Sequence, residues 1–342
     1  MPDRLSRKAE ALARAGRHED ALAAAQQAAD AARAGNDRVA EANALEMVAD
    51  VLRCLHRDRE SLAASRQAVD VARRSGDKIA LVRALSAKAD TEHVLGRHEE
   101  CVRTCDRAAE AARAAGEPLY EAVPLLMKAE GLRELERYED ALRTATASSD
   151  AAKRAHSLLW QGRALMVAAQ LFNLLDGYDS AVKIAGLAAK VAGLEGDAYT
   201  EAGALTVKSD ALGAMGRNDE ALSAADEAIK IARRGDARDA EPAALNARAE
   251  VLLALGRHEE ALAAADQAIA LAKSGEDTST AAYACASRAH VLMELGRTGE
   301  AVAAAEQGVS LAREAGVERI RLCAEVILGE AMKCAGVNEA EE

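Results

Sequence analysis

The chain has 342 residues; half are apolar, yet it holds only one Trp, one Phe, five Tyr and four Pro. Such a balance, rich in Ala, Leu, Glu and Arg, predicts an almost wholly helical protein with thin, closely packed helices and no bulky core. The net charge of −12 argues against a nucleic-acid partner, which needs a basic surface.

The N-terminal "MPDRLSRKAEALARAG" is charged throughout and has no apolar core of a secretory signal. No stretch approaches the roughly 20 apolar residues of a membrane span, so membrane insertion is not expected. Six scattered cysteines suit a reducing compartment, and a cytoplasmic location follows as the expectation.

The first helix pair closes with "GRHEDALAAAQQAADAARAGND" (16–37), and residues 256–277 read "GRHEEALAAADQAIALAKSGED". The small-aliphatic step inside these lines returns at Ala21-Leu22, Ser61-Leu62, Cys101-Val102, Ala141-Leu142, Ala181-Val182, Ala221-Leu222, Ala261-Leu262 and Ala301-Val302. Each lies 40 residues after the last, which marks a repeat protein of eight helix-turn-helix units. Within a second helix the small residues fall at i, i+4, i+7 and i+11, as at Ala261, Ala265, Ala268 and Ala272. The column stays small at Ser65, Cys105, Ser148 and Gly308, as a close helix contact demands.

Acids such as Glu259 and Glu260 open the second helices, and Arg33, Arg73, Arg113, Lys153, Arg233, Lys273 and Arg313 close them, as the helix dipole favours. Gly35, Gly76, Gly116, Gly196, Gly235, Gly275 and Gly316 are expected as left-handed caps, followed by Asn36, Asp77, Asp197 and Asp236 as N-caps. Between 147 and 162, "ASSDAAKRAHSLLWQG" carries Ala155-His156 where the glycine is expected. A final helix over about 318–335, with Glu325 and Lys333, is expected to cap the stack with a solvated face.

The segment "GDKIALVRALSAKADTEHVLGRHEECV" (76–102) resembles the tetratricopeptide repeats in a 40-residue form, as in spindle-orientation adaptors and, more loosely, kinesin light chains. The resemblance runs along essentially the whole chain, 1–342, as a single solenoid domain. It implies an all-α, right-handed α-solenoid of eight units plus the C-terminal helix, with first helices lining a concave groove that takes a protein or peptide. One column departs from the family's leucine: Lys8, Lys88, Lys128, Lys208, Arg248 and Arg288. Either their stems pack while their heads reach water, or they form buried pairs with neighbouring acids.

His98, Cys101 and Cys105 share a helix face, but three ligands lack a fourth and occupy packing columns, so no metal is expected. No catalytic triad or phosphate loop can be assembled, so neither enzymatic activity nor a cofactor is expected.

The central polar column of the first helices is Glu10, Asp50, Asp90, Glu130, Gln170, Asp210, Glu250 and His290. Arg14, Arg53, His93 and Arg133 stand one turn from the first four; Asp210 and Glu250 face Gly213, Ala214, Leu253 and Ala254 instead. This acidic ladder favours a partner with a basic flank. Six of the seven aromatics lie within 120–199. There the groove columns, elsewhere Ser6, Asn43, Ser86, Thr206 or Asn246, hold Val123, Leu126, Met166 and Leu174 beside Arg163, Gln170 and Asn173. This apolar cluster either receives a partner's side chains or is buried against its own neighbours. The expected contact set is Val123, Leu126, Glu130, Arg133, Arg163, Met166, Gln170, Asn173, Leu174, Asp210 and Glu250, in a non-enzymatic interaction scaffold. The alternatives are a self-associating spacer, or a regulatory arm of a larger assembly, since the chain stops at "GVNEAEE" where a ninth second helix would begin.

Overall fold

Columns of alanine let helices approach until their backbones nearly meet, and this sets the architecture. The computed structural model describes residues 2–235, 237–316, 318–334 and 336, as seventeen α-helices and one 3-10 turn, with no strand among the described residues. They form two compact units, residues 1–171 and 172–342.

Unit 1 holds α1 (Pro2–Arg14), α2 (His18–Ala34), α3 (Arg38–Cys54), α4 (Asp58–Ser75), α5 (Lys78–Val94), α6 (His98–Ala115), α7 (Pro118–Glu134), α8 (Tyr138–Arg154) and most of α9 (Leu158–Leu174). Unit 2 holds the end of α9, then α10 (Tyr178–Glu195), α11 (Ala198–Ala214), α12 (Asn218–Arg234) and a 3-10 turn (Arg238–Ala240). It continues with α13 (Glu241–Ala254), α14 (His258–Ser274), α15 (Thr278–Glu294), α16 (Thr298–Ala315) and α17 (Glu318–Cys334). Odd-numbered helices are the first of each pair. In unit 1, α3 packs on α4 and also touches α5; in unit 2, α11 packs on α12 and also touches α13.

The small columns are the seams. Ala21, Ala25, Ala28 and Ala32 in unit 1 and Ala261, Ala265, Ala268 and Ala272 in unit 2 have no exposed surface. At Gly308 an added Cβ would lie 3.3 Å from the Ala282 carbonyl oxygen, which leaves little room for a larger side chain. Leu85 and Leu132 in unit 1, and Leu212, Leu252 and Leu292 in unit 2, supply the large fully buried side chains.

The left-handed positions repeat every 40 residues, but not always on the glycine expected. Gly76, Gly116, Gly196 and Gly316 take positive φ, whereas Gly35, Gly235 and Gly275 do not. Asn36, His156 and Glu276, one residue later in their lines, adopt it instead. Gly235 is small for another reason: its Cβ would fall 2.4 Å from the Ala198 Cβ. Asp77 and Asp197 cap α5 and α11 by accepting from the Ala80 and Thr200 amides. Asn36 does not cap α3; Asp37 does, accepting from the Ala40 amide. Asp236 lies outside the described residues, as do residues 337–342. Second helices begin instead with an arginine clamped to an acid three residues on, as in Arg57–Glu60 and Arg217–Glu220, both 2.7 Å.

The Lys/Arg column resolves both ways. Lys128, Arg248 and Arg288 reach out to half-exposed Asp106, Asp226 and Asp266 on the preceding second helices. Lys88 instead bonds Glu92, which is only 3% exposed, at 2.5 Å. The expected cap appears as α17, with Glu325 held by Arg321 and Arg313. Its outer face is not wholly polar, since Leu322 and Val326 are exposed.

Candidate functional site

In unit 1 Glu10, Glu46, Asp50 and Asp90 on the first helices are paired with the chain's own cations. Arg53 Nε lies 2.8 Å from Asp90 and its Nη2 lies 3.9 Å from Asp50, so one guanidinium bridges two successive repeats. Arg83 bonds Glu46 at 3.0 Å, and Arg14 lies 3.8 Å from Glu10. Arg133 donates to Gln170 at 3.1 Å and pairs with Glu134 at 2.9 Å. Enclosure still raises these carboxyls. Glu46 is pushed up to about 7, mainly by burial, against the pull of Arg83. Asp50 is pushed up to about 6 for the same reason, and Glu130 is raised by burial.

The expected apolar cluster is less open than the sequence suggests. Leu126 is buried and faces the core, one turn from Ala122 and Ala129, so it offers no surface. Val123 and Met166 in unit 1, and Leu174 in unit 2, are half-buried. Arg163 lies over the Trp160 ring at 5.1 Å, and Trp160 in turn packs on Ala122, Ala151 and Ala152. Asn173, in unit 2, donates to the Val207 carbonyl at 3.1 Å while its own side-chain oxygen is buried without a donor.

Unit 2 presents a different electrostatic face. Glu250 accepts from Asn246 at 3.1 Å and from Ser287 at 2.9 Å, both neutral. No hydrogen bond or ion pair reaches Asp210 among the described residues. Enclosure by protein atoms, with Glu250 adding repulsion, pushes Asp210 up to about 8. Its carboxyl also meets water on the open side of the first-helix face, which screens the energetic consequence. The positions one turn on, filled by Arg53 and Arg133 in unit 1, are Gly213, Leu253 and Met293.

From Leu253, one turn beyond Glu250 on α13, a cleft of about 680 Å³ opens that is also lined by Met293, His290, Glu330, Lys333 and Cys334, among others. Sequence reasoning found the acids but not this cleft. Its signal was present in the aliphatic replacements Leu253 and Met293.

His98, Cys101 and Cys105 pack as their columns suggest. Both thiols are wholly buried, and the His93 and His98 rings meet edge to face at 5.1 Å. Among the described residues no group of three or more His, Cys, Asp or Glu is arranged to hold a metal ion.

Residues 200–274 and 282–314 match the tetratricopeptide repeat family. These two segments are tetratricopeptide repeats. A further segment, 44–93, matches the family described as Anaphase-promoting complex subunit 5. No curated protein matches the sequence.

Among solved structures, the tetratricopeptide repeats are similar to a signal transduction ATPase with numerous domains and a tetratricopeptide repeat sensor from Pyrococcus horikoshii. That match has 18% identity and a TM-score of 0.63; it covers 75% of this chain and only 39% of that one. They are also similar to a Rap protein complexed with Competence and Sporulation Factor, at 12% identity and a TM-score of 0.59, over 98% of this chain and 99% of that one. A tetratricopeptide repeat protein from Parabacteroides merdae matches at 14% identity and 0.52, over 79% and 93%. At these identities the likeness shows the fold alone. None of the described helices is long and apolar enough to cross a membrane.

Proposed function

We propose that this chain is a non-enzymatic scaffold whose first-helix faces bind a segment of a partner protein. The observation that carries the reading is the contrast between the units. Unit 1 pairs Glu10, Asp50 and Asp90 with its own cations, whereas Asp210 and Glu250 in unit 2 have none among the described residues, and Leu253, one turn from Glu250, lines a cleft. A carboxyl pair without an internal cation, next to half-buried aliphatic side chains, is what a cationic and apolar partner segment would complement. Val123, Met166 and Arg163 would add contacts in unit 1, and Asp210 and Glu250 would draw a basic flank in unit 2. The Rap protein similar to this chain is complexed with Competence and Sporulation Factor, which supports a factor-binding role for such a fold. A cytoplasmic setting is part of the proposal.

The test compares proteins captured by the wild type, by Asp210→Lys/Glu250→Lys, and by Asp219→Lys/Glu259→Lys on exposed second-helix positions. All three should melt alike. Loss of a captured protein only in the first variant supports the reading; equal capture by all three refutes it.

A second reading, self-association, draws on Leu322 and Val326 exposed on α17. Sedimentation over a concentration series distinguishes it, because groove binding needs no change in mass.

A further inference from the structure

Two acids alone mark no site; what the same chain does elsewhere with an equivalent pair is the informative observation. Asp50 and Asp90 are 40 residues apart on successive first helices, and the Arg53 guanidinium lies between them. Asp210 and Glu250 stand in the same register, 40 residues apart on α11 and α13, and the residue corresponding to Arg53 is Gly213. The nearest atom to a Cβ built on Gly213 is Val251 Cγ2, at an ordinary 3.8 Å, so the space a side chain would use is open. The surrounding groups are acceptors in search of a donor. Among the described residues Asp210 has no hydrogen bond, Glu250 is bonded only through Oε1, and the Asn246 side-chain oxygen is buried without a donor. Between this pair the chain therefore lacks the guanidinium that Arg53 supplies between Asp50 and Asp90.

The cleft supplies the second half of the match. Leu253 lies one turn beyond Glu250 on α13, and Met293 occupies the equivalent place on α15, so the apolar floor begins where the acid pair ends. Packed helices stand about 8–10 Å apart, and the distance from between α11 and α13 to the cleft is one to one and a half such steps. An extended chain advances about 3.3 Å per residue, so this distance corresponds to three or four residues.

We propose that unit 2 binds an extended segment of a partner protein that carries an arginine three or four residues from an aliphatic side chain. The guanidinium takes the place above Gly213 between Asp210 and Glu250, and the aliphatic side chain enters the cleft floored by Leu253 and Met293. This rests on the scaffold reading and names the chemistry of its partner. His290 and Glu330, 3.6 Å apart, also line the cleft, together with His258, Glu294 and Lys333.

The test uses the full chain and fluorescein-labelled peptides, acetyl-Ala-Arg-(Ala)n-Leu-Ala-amide with n from 0 to 6, read by fluorescence anisotropy. Binding is expected to peak at n of 2 or 3, at least tenfold tighter than at n of 0 or 6, and to weaken when citrulline replaces arginine. Gly213→Arg places the chain's own guanidinium in the gap, and it should lose at least tenfold in affinity while melting no lower than the wild type. Asp210→Asn/Glu250→Gln removes the charge without adding bulk, should lose the same affinity, and carries the test if Gly213→Arg fails to fold. The proposal is overturned if no peptide binds, if affinity is flat in n, or if the folded Gly213→Arg or the double variant binds as the wild type does. Any of these results, together with a protein still captured in an Asp210- and Glu250-dependent way, removes the arginine motif and leaves the scaffold reading standing.

Discussion

Glu92 occupies a position that the other repeats give to Leu12, Leu52, Leu132, Phe172, Leu212, Leu252 and Leu292, and it is 3% exposed. Its charge is satisfied from two sides: Lys88 Nζ at 2.5 Å and Thr104 Oγ1 at 2.7 Å. Replacing Lys88 alone by valine leaves a buried carboxylate with one neutral donor. Breaking a buried pair from one side costs about 3–5 kcal/mol. Because Thr104 remains and Lys88 is 16% exposed, the low end, about 3 kcal/mol, is expected. Lys88→Val/Glu92→Leu should return most of that loss, since repeat two already carries Val48 and Leu52 at these positions. The freed Thr104 hydroxyl has a local acceptor, as Thr144 in the matching place donates to the Asp140 carbonyl at 2.7 Å. A stack of repeats need not unfold in one step, so the assay should be local: hydrogen exchange of amides in α5 and α6. Lys88→Val should accelerate exchange there by roughly a hundredfold, about 3 kcal/mol at 1.36 kcal/mol per decade. The double variant should come back to within a few-fold of the wild type. Unchanged exchange in Lys88→Val would mean that this lysine merely lays its stem on the surface. A double variant as labile as the single would refute the treatment of Glu92 as a leucine in the same column.

Three further outcomes are expected. Glu46 keeps its proton to about pH 7 in the folded chain against 4.5 for the free carboxyl, so its contribution is complete below about 4.5 and is lost as pH rises to 7. Glu46→Gln should flatten that decline by up to about 3 kcal/mol in urea titrations at stepped pH, and an unchanged slope would remove Glu46 as its source. Glu276 sits at φ 59 where Gly76 and Gly116 stand in other repeats, so Glu276→Gly should stabilise by up to about 1 kcal/mol, read as a raised melting temperature. Gly235→Ala should destabilise, because its Cβ would fall 2.4 Å from that of Ala198; a melt equal to the wild type would show that α11 and α12 shift apart without cost.

The register of the fold was legible because it is written in columns. A seam that admits only Ala, Ser, Cys or Gly appears eight times, and the seams do occupy those residues. What the columns did not reveal was the conformation of single residues at the joints. Asn36, His156 and Glu276 adopt the left-handed turn because it keeps its place in the 40-residue register, in line with Gly76, Gly116, Gly196 and Gly316, whichever side chain stands there. Leu126 was misplaced for a related reason. A helical wheel puts it at the border between core and groove, and packing of the neighbouring helices leaves it 6% exposed. The Lys/Arg column needed the structure as well, since a basic residue above an acid on the preceding helix and one above a buried glutamate look identical in a single repeat.

The same columns bear on how a repeated scaffold acquires a specific face. Six of the eight units carry an acid at this place on the first helix, and the residue one turn later bears on whether that acid is paired within the chain. Arginine at that place gives Arg53, which ties two repeats together and removes the charge from the surface. Glycine gives Gly213, which leaves both the charge and the space, and leucine and methionine at the next two repeats turn the same strip apolar. Three residues in one column therefore change how the face is lined, and Leu253 and Met293 do so while still packing their inner sides on the core. In unit 2 that variation has produced an acid pair beside a cleft, the combination that a cation and an aliphatic group on one partner strand would match.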